Sequence, residues 1–196
     1  MDEPLAPGYA VIMGAGIDRP LIRVQDGIVV EEPGFCIKII RVMDKTNVMR
    51  LLDAAGIDYV ESTYDSELTD GAKIAGILGE DPETVFKSLV TVSDKKEYFV
   101  FCVPVSATLN LKKAAKAVGA KSIAMIPKKE LLPLTGYVHG GCSPIGLKKP
   151  FPVTIDETAQ LFDRIYVSGG RKGYQVGLSP ITLAEYCHAK FVDILG

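Results

Sequence analysis

From Thr46 onward the apolar residues follow two rhythms: the spacing of three and four that marks a helix face, and the spacing of two that marks a strand. Thr46 stands as a helix cap ahead of Val48, Leu51, Leu52 and Ala55, and Gly56 offers the left-handed stop. Residues 57–64 read as a strand. Thr69 or Asp70 caps a second helix reaching about Leu78 and ended by Gly79, and Asp81-Pro82 opens a further helical turn. Residues 85–93 and 97–103 alternate as two strands around the polar turn Asp94-Lys95-Lys96, which predicts a hairpin. Asn110 caps a helix with Leu111, Ala114, Ala115 and Val118 on one face, stopped by Gly119. A short strand at 122–126 leads to a helix begun by Pro127, then to an irregular glycine-rich loop over 136–146. Strands follow at 151–155, 164–168 and 175–178, the last two joined by Gly169-Gly170-Arg171-Lys172-Gly173. Ser179-Pro180 opens a helix through His188, and residues 190–194 close as a strand.

Hairpins mixed irregularly with helices predict an α+β fold, with a mostly antiparallel, partly closed sheet surrounded by helices. Residues 1–43 break the pattern. Short apolar stretches at 10–13 and 27–30 and a candidate strand at 34–40 suit either a hairpin or a mobile arm. The expected organisation is an N-terminal extension over 1–43 and a domain over 44–196, with Met43 an alternative start.

Composition narrows the class. Hydrophobic residues make up 47% and charged residues 23%, enough for one sizeable core. No apolar run approaches the roughly 20 residues of a membrane span. Met1-Asp2-Glu3-Pro4 is acidic where a secretory signal is basic. Cys36, Cys102, Cys142 and Cys187 are dispersed, with no Cys-x-x-Cys pair, and read as reduced thiols of a cytoplasmic protein. With only His139 and His188 besides, no metal-ligand spacing occurs, and no metal or cofactor is expected.

The net charge of −2 hides an asymmetry. Residues 1–100 hold 10 Lys/Arg against 18 Asp/Glu, and residues 101–196 hold 12 against 6. Lys112, Lys113, Lys116, Lys148 and Lys149 belong to this basic half, as do Arg171 and Lys172. Such a region is either a solvated face or a surface for a polyanion.

Three segments could carry chemistry. Lys87 shares a strand face with Val85, Leu89 and Thr91, where an ammonium needs an anion, an ester carbonyl or a solvated cleft, unless it is an edge lysine that blocks aggregation. Gly140-Gly141-Cys142-Ser143-Pro144-Ile145-Gly146 lets backbone N–H groups approach a ligand, as an oxyanion requires, or is an ordinary connection. Ser168, at the end of a strand, could bond a substrate beside Gly169, or could simply enter a polar turn. Serine nucleophiles lack an elbow motif and an oriented base. Cys142 is a nucleophile only if its thiolate is stabilised, and otherwise fills space.

Taken in order, these motifs resemble the YbaK/EbsC family and the related editing domain of bacterial prolyl-tRNA synthetase. The resemblance covers about residues 44–194. It rests on Thr46-Asn47, Val85-Phe86-Lys87-Ser88-Leu89, Leu109-Asn110-Leu111-Lys112-Lys113, Gly136-Tyr137, the glycine loop, and Tyr166-Val167-Ser168-Gly169-Gly170. It implies hydrolysis of the ester between a wrong amino acid and the 3′ end of tRNA, often cysteine on proline tRNA, by positioning rather than by a side-chain nucleophile. For a cysteinyl ester it implies attack by the substrate's own thiol. A prolyl-tRNA synthetase becomes a candidate partner. By resemblance Lys87 contacts the terminal nucleotide or the ester, and Gly140 holds the aminoacyl group with Gly141 beside it. Tyr64, Ser88, Ser143, Ser168, Gly169 and Gln175 line the pocket. Ser88 stands where many members carry threonine, and Gln175 where some cysteine-specific members carry an acid. A non-catalytic tRNA-end-binding or regulatory role of the EbsC type is the alternative.

Overall fold

The computed structural model describes residues 45–196 and, ahead of them, the antiparallel strands β1 (Tyr9–Ala10) and β2 (Ile22–Arg23). The chain divides into two units at Asp44/Lys45. The expected strands at 27–30 and 34–40, Cys36 and Met43 lie outside the described residues.

The second unit begins where the pattern places it. Thr46 caps α1 (Asn47–Ala54) by accepting from the Met49 N–H, and Val48, Met49 and Leu52 are fully buried. Ala55, the C-cap just beyond the last helical residue, is exposed instead. β3 (Val60–Thr63) is shorter than expected. Asp70 caps α2 (Gly71–Leu78) through the Ala72 and Lys73 N–H groups, and Gly79 ends it at φ 72°. Asp81-Pro82 opens a single hydrogen-bonded turn, Thr84 N–H to Asp81 O, that leads directly into the sheet.

β4 (Phe86–Ser93) and β5 (Tyr98–Pro104) pair antiparallel as predicted. Their turn is locked by Ser93 Oγ, which accepts from Lys95 and Glu97 N–H, and Lys96 takes the left-handed conformation at φ 63°. α3 (Leu111–Ala117), β6 (Ile123–Met125) and α4 (Lys128–Thr135) follow. β7 (Val153–Asp156) leads into a 3-10 turn at Glu157–Leu161, capped by Asp156, which sequence periodicity does not reveal. β8 (Ile165–Ser168), β9 (Tyr174–Leu178), α5 (Pro180–Cys187) and β10 (Lys190–Val192) complete the unit, with His188 closing α5 at φ 51°.

Five strands run in the order β10-β7-β5-β4-β6 and three in the order β3-β9-β8. Only the β10–β7 and β7–β5 pairings of these sheets are parallel. The two sheets meet at an isolated parallel bridge between Val85 and Tyr166, which gives the partly closed, mostly antiparallel arrangement expected. One core lies between α1, the glycine loop and both sheets, with Leu52, Phe86, Ile145, Val176 and Leu183 among its members. A smaller core under α3 holds Phe101, Val103, Ala114 and Ile194. Each fully buried Leu or Ile contributes roughly 1.5–3 kcal/mol against exposure.

Candidate active site

Strand register decides which candidate residues share a surface. Ser62 on β3 pairs with Gln175 on β9, and Gln175 pairs with Ser168 on β8. Residues directly opposite in a sheet project from the same face. The bridge sets Val85 beside Tyr166, and two residues further along each strand the side chains return to that face. Ser62, Gln175, Ser168 and Lys87 therefore form one row across β3, β9, β8 and β4. The other face of β8 and β9 sends Val167, Val176 and Leu178 into the larger core.

Lys87 is half-buried. Its Nζ donates to the carbonyl oxygens of Ala107 at 2.7 Å and Val105 at 3.4 Å. The ammonium's need for a partner is thus met by backbone carbonyls of the segment leaving β5. Burial depresses its pKa below the ordinary 10.5. Ser88 projects to the opposite face, where its Oγ lies 3.7 Å from Cys102 Sγ, so it is not in the row.

Gln175 is buried, at 4% exposure, and its Nε2 donates to Oε2 of Glu80. Glu80 directly follows the Gly79 stop of α2. Its desolvation raises the carboxyl above the ordinary 4.5, and hydrogen bonds from Gln175 and Ser62 pull it back. Ser168 Oγ accepts from Gly170 N–H at 3.2 Å and so shapes the turn it begins. Tyr64 closes the end of β3, its N–H bonded to Gly173 O at 3.0 Å, while burial raises its phenol pKa and a hydrogen bond from the Gly173 backbone lowers it.

The glycine loop adjoins the same β8–β9 turn. A Cβ on Gly141 would sit 3.2 Å from the Lys172 backbone nitrogen, and one on Gly140 would sit 3.6 Å from Lys172 Cε. The close backbone approach that glycine permits is made here to another segment of the protein. Gly140, at φ 85°, is exposed, whereas Gly141 is buried and spends its N–H on Val138 O at 3.0 Å. Of the two expected oxyanion donors, Gly140 is the one whose N–H is not used by a described residue. Ser143 is fully buried, and its Oγ accepts from Ile145 N–H, so its hydroxyl stiffens the loop. Tyr137 pins the loop from beneath, donating its phenol proton to Ile145 O at 2.5 Å.

Cys142 is buried, and burial pushes its thiol up to about 12, as it does for Cys102 and Cys187. A thiol so placed stays protonated near neutral pH, which removes the support for a cysteine nucleophile.

The cations divide. Lys112 and Lys116 line a hollow between α3 and β6 together with Lys121. Lys113 is held by both carboxylate oxygens of Asp193 at 2.9 Å. Lys148, Lys149 and Lys172 are exposed, and the Arg171 guanidinium lies 5.5 Å from the centre of the Tyr174 ring. Among the described residues, no group of three or more His, Cys, Asp or Glu could hold a metal ion, and no helix is long and apolar enough to cross a membrane.

Sequence reading missed Glu80 and Ser62. Both come into place only through pairing between segments distant along the chain, and a single acid after a helix-ending glycine carries no local mark.

Residues 66–186 match the aminoacyl-tRNA editing domain. The chain belongs to this family. It is 37% identical over 156 residues to a protein of Enterococcus faecalis named "Putative Cys-tRNA(Pro)/Cys-tRNA(Cys) deacylase EbsC", covering 79% of this chain and 95% of that one. It is 29% identical over 123 residues to a proline–tRNA ligase of Shouchella clausii, covering 63% of this chain and 21% of the ligase. A solved structure described as "a putative trans-editing enzyme for prolyl tRNA synthetase" superposes with a TM-score of 0.66 at 24% identity, over 76% of this chain and 96% of that one, and shows the same fold.

Proposed function

We propose that the chain is a trans-editing deacylase that hydrolyses the ester joining a wrong amino acid to the 3′ end of tRNA, with cysteine on proline tRNA the first candidate. The observation that carries this reading is the row Ser62–Gln175–Ser168–Lys87, ending beside the turn that the glycine loop touches. The row supplies hydrogen-bonding groups and an ammonium on one face. The loop supplies an unspent N–H at Gly140.

An aminoacyl ester is already reactive, so placement and an oxyanion donor supply much of what is needed. Gly140 N–H meets the carbonyl oxygen as it becomes an oxyanion. The nucleophile is water or, for a cysteinyl ester, the substrate's own sulfur. In the latter case the S–C bond forms, the bond from carbon to the ribose oxygen breaks, and that oxygen takes the thiol proton. Lys87 holds the terminal nucleotide or the ester. Lys112, Lys116, Lys148, Lys149 and Lys172 are the candidate phosphate contacts, with Arg171 and Lys113 beside them. A prolyl-tRNA synthetase partner would add the tRNA selection that so small a domain lacks.

The test is deacylation of a panel of mischarged tRNAs. Wild type releases the amino acid, and Lys87→Met, which keeps the apolar stem, lowers the rate about 100-fold with an unchanged far-UV spectrum. Cys142→Ala retains activity. Protection of the ester in place of its release would identify a tRNA-end binder and overturn the enzymatic reading.

A further inference from the structure

Glu80 occupies a place that is costly for a negative charge. Its side chain is half-buried, and it follows the C-terminal end of α2, where the helix dipole disfavours an anion. Its hydrogen-bond partner, Gln175, is neutral, and so is Ser62, which pairs with Gln175 across β3 and β9. The ion pairs Lys45–Asp53 and Lys113–Asp193 lie elsewhere, and the groups that act on the Glu80 carboxyl include no cation. A partly desolvated carboxylate with neutral partners on one side favours a cation on the other.

The reaction proposed above brings one. Every aminoacyl ester carries an α-ammonium on the carbon next to its carbonyl. From β9, which carries Gln175, to β4, which carries Lys87, is two strand spacings, roughly 10 Å. That is the span of an amino acid and the ribose it esterifies. The row therefore has an acidic end and a basic end, matched to the two ends of one ligand.

We propose that Glu80 receives the α-ammonium of the aminoacyl ester, with Gln175 and Ser62 as the positioning residues that aim its carboxylate. The inference rests on the deacylase reading. The buried Gln175 fixes Oε2 from below, and the charge itself comes from α2. The site thereby selects a free amino group and rejects a blocked one.

The experiment compares a mischarged tRNA carrying a free α-amino group with the same tRNA after N-acetylation, in single-turnover deacylation by wild type, Glu80→Gln and Lys87→Met. Wild type is expected to prefer the free amine by about 10- to 100-fold, the range for loss of one charged hydrogen bond. Glu80→Gln is expected to shrink that preference toward the ratio of the uncatalysed rates, chiefly by slowing the free-amine substrate. Lys87→Met slows both. If Glu80→Gln keeps the preference, or slows both substrates equally, the assignment of Glu80 is overturned and the deacylase stands. If wild type hydrolyses neither substrate, it is the deacylase reading that falls.

Discussion

At the scale of single residues, Glu80 stands apart as a half-buried acid just beyond a helix end. Glu80 has its carboxyl pushed above the ordinary 4.5 by desolvation. An acid whose folded pKa is raised lends its extra stability below the unfolded value, and that stability is lost as pH rises through the folded value. At neutral pH the ionised side chain is thus a liability to the fold. Glu80→Gln is expected to melt at a higher temperature than wild type at pH 7, and the advantage should vanish as pH falls below about 4.5; thermal melts across that range check it.

At the scale of elements, the caps and stops explain why so much of the secondary structure is legible in the chain. Asn110 Oδ1 accepts from the N–H groups of Lys112 and Lys113 at 3.0 and 3.2 Å. α3 is only Leu111–Ala117 and carries lysines in its first turn, against its dipole, so its start depends on that cap. Asn110→Ala should cost about 1 kcal/mol in urea unfolding. Thr46, Asp70 and Asn110 announce helix starts because a cap acts within three residues, and Gly56, Gly79 and Gly119 announce stops because only their own φ is at issue. The 3-10 turn at Glu157–Leu161 gives no such notice, since one turn has no period. Lys87 and Gly140 stand out locally, one as a charge among apolar neighbours and the other as half of a glycine pair. Gln175 draws notice through family resemblance alone. Its partnership with Glu80 is invisible until β9 pairs with β3, because a register between strands more than 100 residues apart is a property of the folded sheet.

At the scale of the whole molecule, charge and sheet architecture point the same way. The excess of 12 cations over 6 anions in residues 101–196 places most of the positive charge on α3, α4, the glycine loop's exit and the β8–β9 turn. Binding to tRNA should weaken with salt, and replacing Lys148 and Lys149 together by Ala should lower the slope of log K against log [salt] by up to about 1.5, roughly 0.7–0.9 per lost phosphate contact; filter binding at several salt concentrations measures it. A slope that did not change would remove these two lysines from the interface. Finally, the row of polar side chains crosses a joint that the backbone bridges only once, at Val85 and Tyr166. Glu80 and Gln175 stand on one side of that joint and Lys87 on the other. A ligand held at both ends would be a crossbar, bracing two plates that one backbone rivet joins above the core they share.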